Sequence, residues 1–192
     1  MAEEDQFDLL SPIKELGLVR ILLADLHDDL PGKIARFRQL TDLSAALGSN
    51  GTMMPGGETT YAAWTEARTS FIHGNYVATV LLCQGLAEHM LAAHLALGIN
   101  GEELPNRILF QETLRRCLAR EVITEKDADD LQRLMTLRNP LSHYRSIDDP
   151  SNLSRRVLDT MSPAENHLRS DAGFAISMAI RLLALPAFRL GD

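Results

Sequence analysis

The segment from Tyr76 to Leu97 reads YVATVLLCQGLAEHMLAAHLAL and sets the fold class of this chain. Its side chains are apolar at almost every position, so no clearly water-facing side remains. A helix that is apolar all round is stable only when other elements enclose it. Gly98 follows the segment and provides a suitable helix end. We therefore predict that residues 76–97 form the central helix of a bundle.

Apolar residues at helical spacing continue on both sides of this central segment, whereas strand patterns are nearly absent. The predicted helices begin at Ser11-Pro12, at Pro31, near Thr59 or Thr60, near Ile108, after Thr124 and after Ser162. The first two form a helical hairpin. The predicted fold is all-α, an antiparallel helical bundle with an additional N-terminal helical hairpin.

Two of these helix starts carry a capping pattern. Thr124 is followed three residues later by Asp127, which resembles a capping box with Asp in place of Glu. Ser162 is followed by a proline suited to the first turn and then by Glu165. We expect both boxes to fix the starts of their helices.

A glycine-rich stretch, GSNGTMMPGG at residues 48–57, separates the first two predicted helices from the rest. Such a stretch is typical of a loop or a linker. We divide the chain into a hairpin with this loop (residues 1–57) and a helical bundle (residues 58–192). The role of the hairpin stays open, because it can close the bundle, extend a contact between two copies or cover a functional cleft.

Composition predicts a cytoplasmic protein without a membrane anchor. The first eight residues of the 192 are acidic, and no basic stretch precedes an apolar one as in a secretory signal. No window approaches the roughly 18 uninterrupted apolar residues of a membrane span. Cys83 and Cys117 lie far apart within apolar segments, so we expect them to be reduced core residues.

Charge is unevenly distributed along the chain, whose net charge is −7. Residues 107–156 hold ten basic and eight acidic side chains, so the excess of negative charge lies elsewhere. Arginine supplies 16 of the 19 basic residues, and its planar group suits bidentate contacts with phosphate. The pattern indicates a local anion-binding region on an acidic body, or alternatively no more than solvated helix faces.

The densest group of reactive side chains is the stretch RNPLSHYR, from Arg138 to Arg145. Pro140 interrupts the predicted helix, because proline lacks a backbone N–H and disfavours α geometry in the residue before it. We expect the helix to kink or end here. On an uninterrupted helix, Arg138 and His143 would point about 140° apart. A break brings them together within one chain, whereas a two-fold dimer would gather two copies of the stretch.

These residues resemble the motif of the HEPN superfamily, in which an arginine and a histidine are separated by four residues and a polar residue, often Asn, follows the arginine. The run Gly74-Asn75-Tyr76-Val77-Ala78 and the later Glu88 are similar to features of the long helix in HEPN bundles. The resemblance covers roughly residues 60–188 and leaves the N-terminal hairpin outside. It implies a HEPN-like bundle.

The resemblance implies a metal-independent endoribonuclease that needs no cofactor and acts as a homodimer with a composite site at the interface. His143 would be the acid and base, and Arg138 would hold the phosphate. A neutral imidazole can take the proton of a ribose 2′-hydroxyl, which then attacks phosphorus. The products would be a 2′,3′-cyclic phosphate and a 5′-hydroxyl.

The ribonuclease interpretation also assigns supporting roles to neighbouring residues. Asn139, four residues before His143, is expected to orient the imidazole through its amide. Glu88 and Ser142 are further supporting residues. RNA contacts are expected from Tyr144, Arg145 and Arg133.

The ribonuclease interpretation has two alternatives. The first is a non-catalytic HEPN-like module that binds RNA, a nucleotide or another protein. Such a module would belong to a toxin–antitoxin or defence system with a nucleotidyltransferase-like partner. The second is a metal site, which the sequence disfavours because His89 and His94 are five residues apart and diverge on a helix.

Overall fold

The computed structural model describes residues 16–97, 101 and 103–190. These residues form eight α-helices, and the β-type pairing among them is a single bridge between Thr52 and Arg189. The helices are α1 (Leu16–Asp28), α2 (Leu30–Ser44), α3 (Gly57–His73), α4 (Tyr76–Ala96), α5 (Phe110–Ala119), α6 (Glu125–Ser142), α7 (Leu153–Thr160) and α8 (Ala164–Leu183). The predicted all-α bundle is confirmed.

Helix α4 is the core of the bundle, as its sequence predicted. Ten of its 21 residues are buried, and they lie on several sides of the helix. Helices α3, α8, α6 and α5 pack against it and cover these sides. Among the described helices, α4 alone is long and apolar enough to cross a membrane. A core helix that its neighbours enclose meets the same criteria of length and composition, and α4 is enclosed in this way.

The turn between α3 and α4 explains the run Gly74-Asn75-Tyr76. Gly74 ends α3 with φ +78°, a left-handed conformation that a side chain would oppose. The backbone N–H of Asn75 then donates to the carbonyl of Ser70 at 2.8 Å. Tyr76 follows directly and is buried. The chain therefore reverses sharply and places an aromatic ring under the start of the core helix.

One predicted capping box is confirmed and the other is wrong. Thr124 accepts from the backbone of Asp127, and the Asp127 carboxylate accepts from the backbone of Thr124 at 3.1 Å. At α8 the helix starts after Pro163 without a side-chain cap. The Ser162 hydroxyl instead accepts from the Asn166 side chain, and Glu165 pairs with an arginine in the next turn.

The start of α3 also differs from the prediction. The helix begins at Gly57, so Thr59 and Thr60 lie inside its first turn rather than before it. Thr60 is buried, and its hydroxyl donates to the carbonyl of Gly57 at 2.8 Å. The predicted start at Ser11-Pro12 lies outside the described residues.

Helix α7 was not predicted, because its eight residues are too few for a clear apolar pattern. The side chain of Asn152 caps it by accepting from the backbone N–H groups of Ser154 and Arg155. Arg156 then donates two hydrogen bonds, of 2.6 and 3.0 Å, to the buried carboxylate of Asp171 on α8. This bidentate pair ties α7 to the bundle.

The glycine-rich loop before α3 is bound to the end of the described chain. The backbone N–H of Met53 donates to the carbonyl of Phe188 at 2.7 Å, and that of Leu190 donates to the carbonyl of Gly51 at 2.9 Å. Phe188 is fully buried beside these contacts. Residues 51–53 and 188–190 therefore form one paired unit against the bundle.

Replacing Asp127 with Asn should destabilise the protein by roughly 1–3 kcal/mol at neutral pH, because it weakens the capping box and leaves a buried amide against Arg181. Burial alone raises the pKa of Asp127, but the hydrogen bonds from Thr124 and the guanidinium of Arg181 hold it below its ordinary value. The stabilisation is therefore present above the unfolded pKa of about 4 and is lost as the pH falls below it.

Urea unfolding at a series of pH values measures this contribution. The difference between wild type and Asp127→Asn should shrink towards acidic pH. Asp129→Asn is the matched control, because Asp129 lies on the same helix turn and is exposed. The control should change stability by less than about 0.5 kcal/mol. An equal loss in both variants would contradict the assignment.

Candidate functional site

The reactive stretch lies where α6 ends. The helix continues through Pro140 to Ser142, and its last backbone hydrogen bond runs from the N–H of His143 to the carbonyl of Asn139 at 3.0 Å. At His143 the backbone turns to an extended conformation, with φ −131° and ψ 138°. The histidine is therefore the first residue that no longer follows the helix.

This change of direction brings together two side chains that a continuous helix would separate. The Nη1 atom of Arg138 lies 3.4 Å from the Nε2 atom of His143. A guanidinium has only donors, so a neutral imidazole in this contact would accept through Nε2 and carry its proton on Nδ1. Arg138 is half-buried and His143 is exposed, which leaves the imidazole open to a ligand.

Of the two outcomes expected at Pro140, a kink or an end of the helix, the end is not found there, because α6 continues to Ser142. The missing N–H of proline removes one hydrogen bond to the preceding turn, yet the helix continues for two more residues. The Ser142 hydroxyl helps to close this last turn, because it lies 3.3 Å from the carbonyl of Arg138 and 3.4 Å from that of Asn139. Ser142 thus supports the backbone on which the pair stands.

Arg138 and His143 lie on the wall of a groove of about 640 Å³ between α4, α6 and the segment before α5. Glu88, predicted as a supporting residue, lines the same groove. No described carboxylate, Glu88 included, forms an ion pair with Arg138. The guanidinium keeps donors available for an anion.

The groove is also lined by two ionisable residues that the sequence did not indicate as part of the site, His89 and Arg107. His89 is exposed on α4 and Arg107 is exposed on the segment before α5. The sequence does contain a pattern that indicates a recess here. Ala92, Ala93 and Ala96 follow His89 on the same side of α4, and all three also line the groove. Small side chains on a core helix leave room for a recess.

The three predicted RNA-binding residues do not line the groove. Tyr144 is 93% exposed, so its ring is free to stack on a base. Arg145 lies 3.8 Å from the carboxylate of Asp149, and its carbonyl accepts from Asn152. Arg133 packs its guanidinium 4.3 Å from the centre of the Phe174 ring, which occupies it in a structural contact.

The predicted role of Asn139 differs from its observed contacts. We expected its amide to orient the imidazole, but among the described contacts Asn139 reaches His143 through its backbone carbonyl. The imidazole is oriented instead by the Arg138 guanidinium. The change follows from the extended backbone at His143, which takes the side chain off the helix face that Asn139 shares.

Metal ligation finds no support within residues 16–97, 101 and 103–190. They contain no group of three or more His, Cys, Asp or Glu side chains that could hold an ion. His94, considered with His89 as a ligand, packs edge-on against the Phe188 ring at 5.1 Å between centres. Burial and the neighbouring Arg120 lower the pKa of His94, which fits this enclosed position.

No protein-family model, curated protein or solved structure matches the chain.

The contact between Arg138 and His143 predicts the tautomer of the imidazole. At a pH where His143 is neutral, nitrogen-detected NMR should find Nδ1 protonated and Nε2 bare, because Nε2 accepts from the guanidinium. Arg138→Ala should shift the population towards protonated Nε2. His73→Gln simplifies the assignment without touching the groove. An unchanged tautomer in Arg138→Ala would contradict the contact.

Proposed function

We propose that this chain is a metal-independent endoribonuclease that cleaves RNA in the groove beside Arg138 and His143. The observation that carries the proposal is the 3.4 Å contact between the two side chains on the wall of an open groove. Phosphodiester cleavage needs a group that moves a proton and a cation that holds the phosphate, and these are the groups that meet here.

The chemistry balances without a metal. Neutral His143 takes the proton of a ribose 2′-hydroxyl, and the 2′-oxygen forms a bond to the adjacent phosphorus. The bond from phosphorus to the 5′-oxygen breaks, and a protonated group supplies the proton that this oxygen takes up. Arg138 donates to the non-bridging oxygens, whose negative charge grows in the transition state. A 2′,3′-cyclic phosphate and a 5′-hydroxyl result.

When phosphate enters the groove, the contact between the two side chains has to change. The guanidinium then donates to phosphate oxygens, which are stronger acceptors than an imidazole nitrogen. The Nε2 lone pair of His143 is released and becomes available to the 2′-hydroxyl. Binding of the substrate phosphate thus prepares the base, which couples the two functions of the pair.

Cleavage needs a second proton carrier, and two sources are consistent with the groove. In the arrangement that the HEPN resemblance implies, a homodimer supplies His143 of a second copy. Within one chain, His89 lines the same groove as His143. The variant His89→Ala distinguishes the two sources. It should still cleave RNA if His143 of a second copy supplies the proton, and it should lose cleavage if His89 supplies it.

Local charge supports an RNA ligand although the whole chain is acidic. Arg138 and Arg107 line the groove, and Glu88 is the one carboxylate among its described lining residues. Tyr144 projects into solvent directly after His143. A cationic groove with an adjacent exposed ring suits single-stranded RNA, whose phosphates and unpaired bases are both accessible.

Incubation of the protein with mixed single-stranded RNA in excess EDTA tests the proposal. Wild type should cleave and leave 2′,3′-cyclic phosphate ends, and His143→Ala should lower the rate by roughly 10²–10⁴-fold, the usual share of acid–base catalysis. Arg138→Ala should lower it to a similar degree. His73→Ala is the matched control, because His73 is exposed on α3 and lies outside this groove.

Failure of wild type to cleave varied RNAs, or cleavage that EDTA abolishes, would overturn the proposal. Equal activity of wild type and His143→Ala would do the same, since it would point to a contaminating nuclease. His89→Ala, measured in the same series, assigns the second proton carrier. Full activity in that variant favours a composite site between two copies.

A binding module is the second candidate function. It is favoured by the contact in which the imidazole's acceptor nitrogen is engaged by Arg138 rather than free. Such a module would hold RNA or a nucleotide for a separate partner, for example a nucleotidyltransferase-like protein of a toxin–antitoxin or defence system. Salt-sensitive RNA binding that Arg138→Ala weakens, without any cleavage, would select this function.

A further inference from the structure

Helix α1 presents apolar side chains to solvent on most of its circumference. Its five large exposed residues are 50–70% accessible, namely Leu16, Leu18, Ile21, Leu22 and Leu23. At 100° per residue they spread over more than half of the helix surface. A helix of this kind needs neighbours on several sides, and its packing against α2 provides one.

Helix α2 also carries an apolar side that the bundle does not cover. Its buried contact with the body centres on Leu40, which is 2% exposed. A second row, formed by Leu30, Ile34 and Phe37 at spacings of four and three residues, is 43–56% exposed. The hairpin therefore has one side of α2 on the bundle, while a second side of α2 and most of α1 expose large apolar residues.

The size of this surface matches a protein interface. Together the eight side chains expose on the order of 800 Å², about the share that one partner contributes to a stable interface. The exposed surface is therefore large enough for a stable dimer.

The occupant that this geometry fits is the same hairpin of a second copy. Two antiparallel helices cannot enclose a core by themselves, whereas four can. Pairing two hairpins supplies each α1 with the neighbours that its own chain lacks, and it places apolar rows against apolar rows. Interfaces between identical chains are the most apolar kind, which suits a surface built from Leu, Ile and Phe.

Charge argues against an anionic membrane or a nucleic acid as the occupant. Residues 1–29 contain eight acidic and two basic side chains, so this part of the chain repels both. The same charge makes two hairpins repel each other over a distance, and salt screens that repulsion. Association through the apolar rows should consequently strengthen as the salt concentration rises.

We propose that the exposed apolar face of α1 and α2 joins two copies of this chain through an intermolecular four-helix bundle. This interface goes beyond the proposed ribonuclease function, because no described residue of α1 or α2 lines the groove of Arg138 and His143. The residues of the proposed interface are thus separate from those that line the groove. The dimer and the cleavage reaction can therefore be tested separately.

Light scattering coupled to gel filtration of the full chain tests the proposal. Wild type should show twice the 21.3 kDa chain mass, and more dimer at high salt than at low salt. Ile21→Asp on α1 and Phe37→Asp on α2 should each weaken the dimer at least tenfold. Leu158→Asp is the matched control, because Leu158 is 61% exposed on α7 and lies on another element.

Circular dichroism of each variant establishes that the bundle remains folded. A wild type that stays monomeric at sub-millimolar concentration would overturn the proposal, as would a dimer that both hairpin variants leave intact. His143→Ala should keep the dimer. If that variant becomes monomeric, the copies meet at the groove and the hairpin interface is refuted, while the ribonuclease proposal stands.

Cross-linking supplies an independent measurement. Cys83 and Cys117 are buried thiols, so a cysteine placed at Leu18 is the accessible thiol among the described residues. A short bis-maleimide should join two copies of Leu18→Cys in high yield and join Leu158→Cys poorly. Equal yields from the two variants would refute the hairpin interface.

Discussion

Enclosure of α4 is the constraint on which the remaining structure depends. A helix of 21 residues with buried side chains on several sides cannot lie at a surface, so α3, α5, α6 and α8 must surround it. The enclosure loosens where large residues give way to Ala92, Ala93 and Ala96, and there the groove opens. The same helix thus provides both the core and the floor of the candidate site, which places reactive side chains on a rigid support.

The pair at the end of α6 depends on where the helix stops. Had α6 continued one turn further, His143 would point away from Arg138, and the guanidinium would face the groove alone. Ending the helix at Ser142 costs the backbone little, because Ser142 and Asn139 hold the last turn. The extended residue that follows carries the imidazole back towards the helix. The change in the two backbone angles of His143 therefore brings the two side chains together.

Much of the fold was readable from the sequence, whereas the site was readable only in part. Apolar periodicity located the core helix and the hairpin, since burial acts on whole segments and leaves a repeated pattern. Helix starts were less predictable. The box at Thr124 formed, but Ser162 found a partner in Asn166 instead, because short polar side chains have several local acceptors of similar energy. The motif indicated Arg138 and His143, yet His89 and Arg107 enter the groove through tertiary packing that spacing along the chain does not encode.

The pairing of residues 51–53 with residues 188–190 has a consequence for how the chain folds. These contacts join segments about 137 residues apart, which is most of the described chain, so they are strongly non-local. During synthesis the hairpin emerges before the bundle helices, yet its connecting loop finds its partner only when the turn beyond α8 has left the ribosome. Until then the hairpin's apolar rows lie on a nascent chain whose body is incomplete, so the docking of this loop must follow the synthesis of α8.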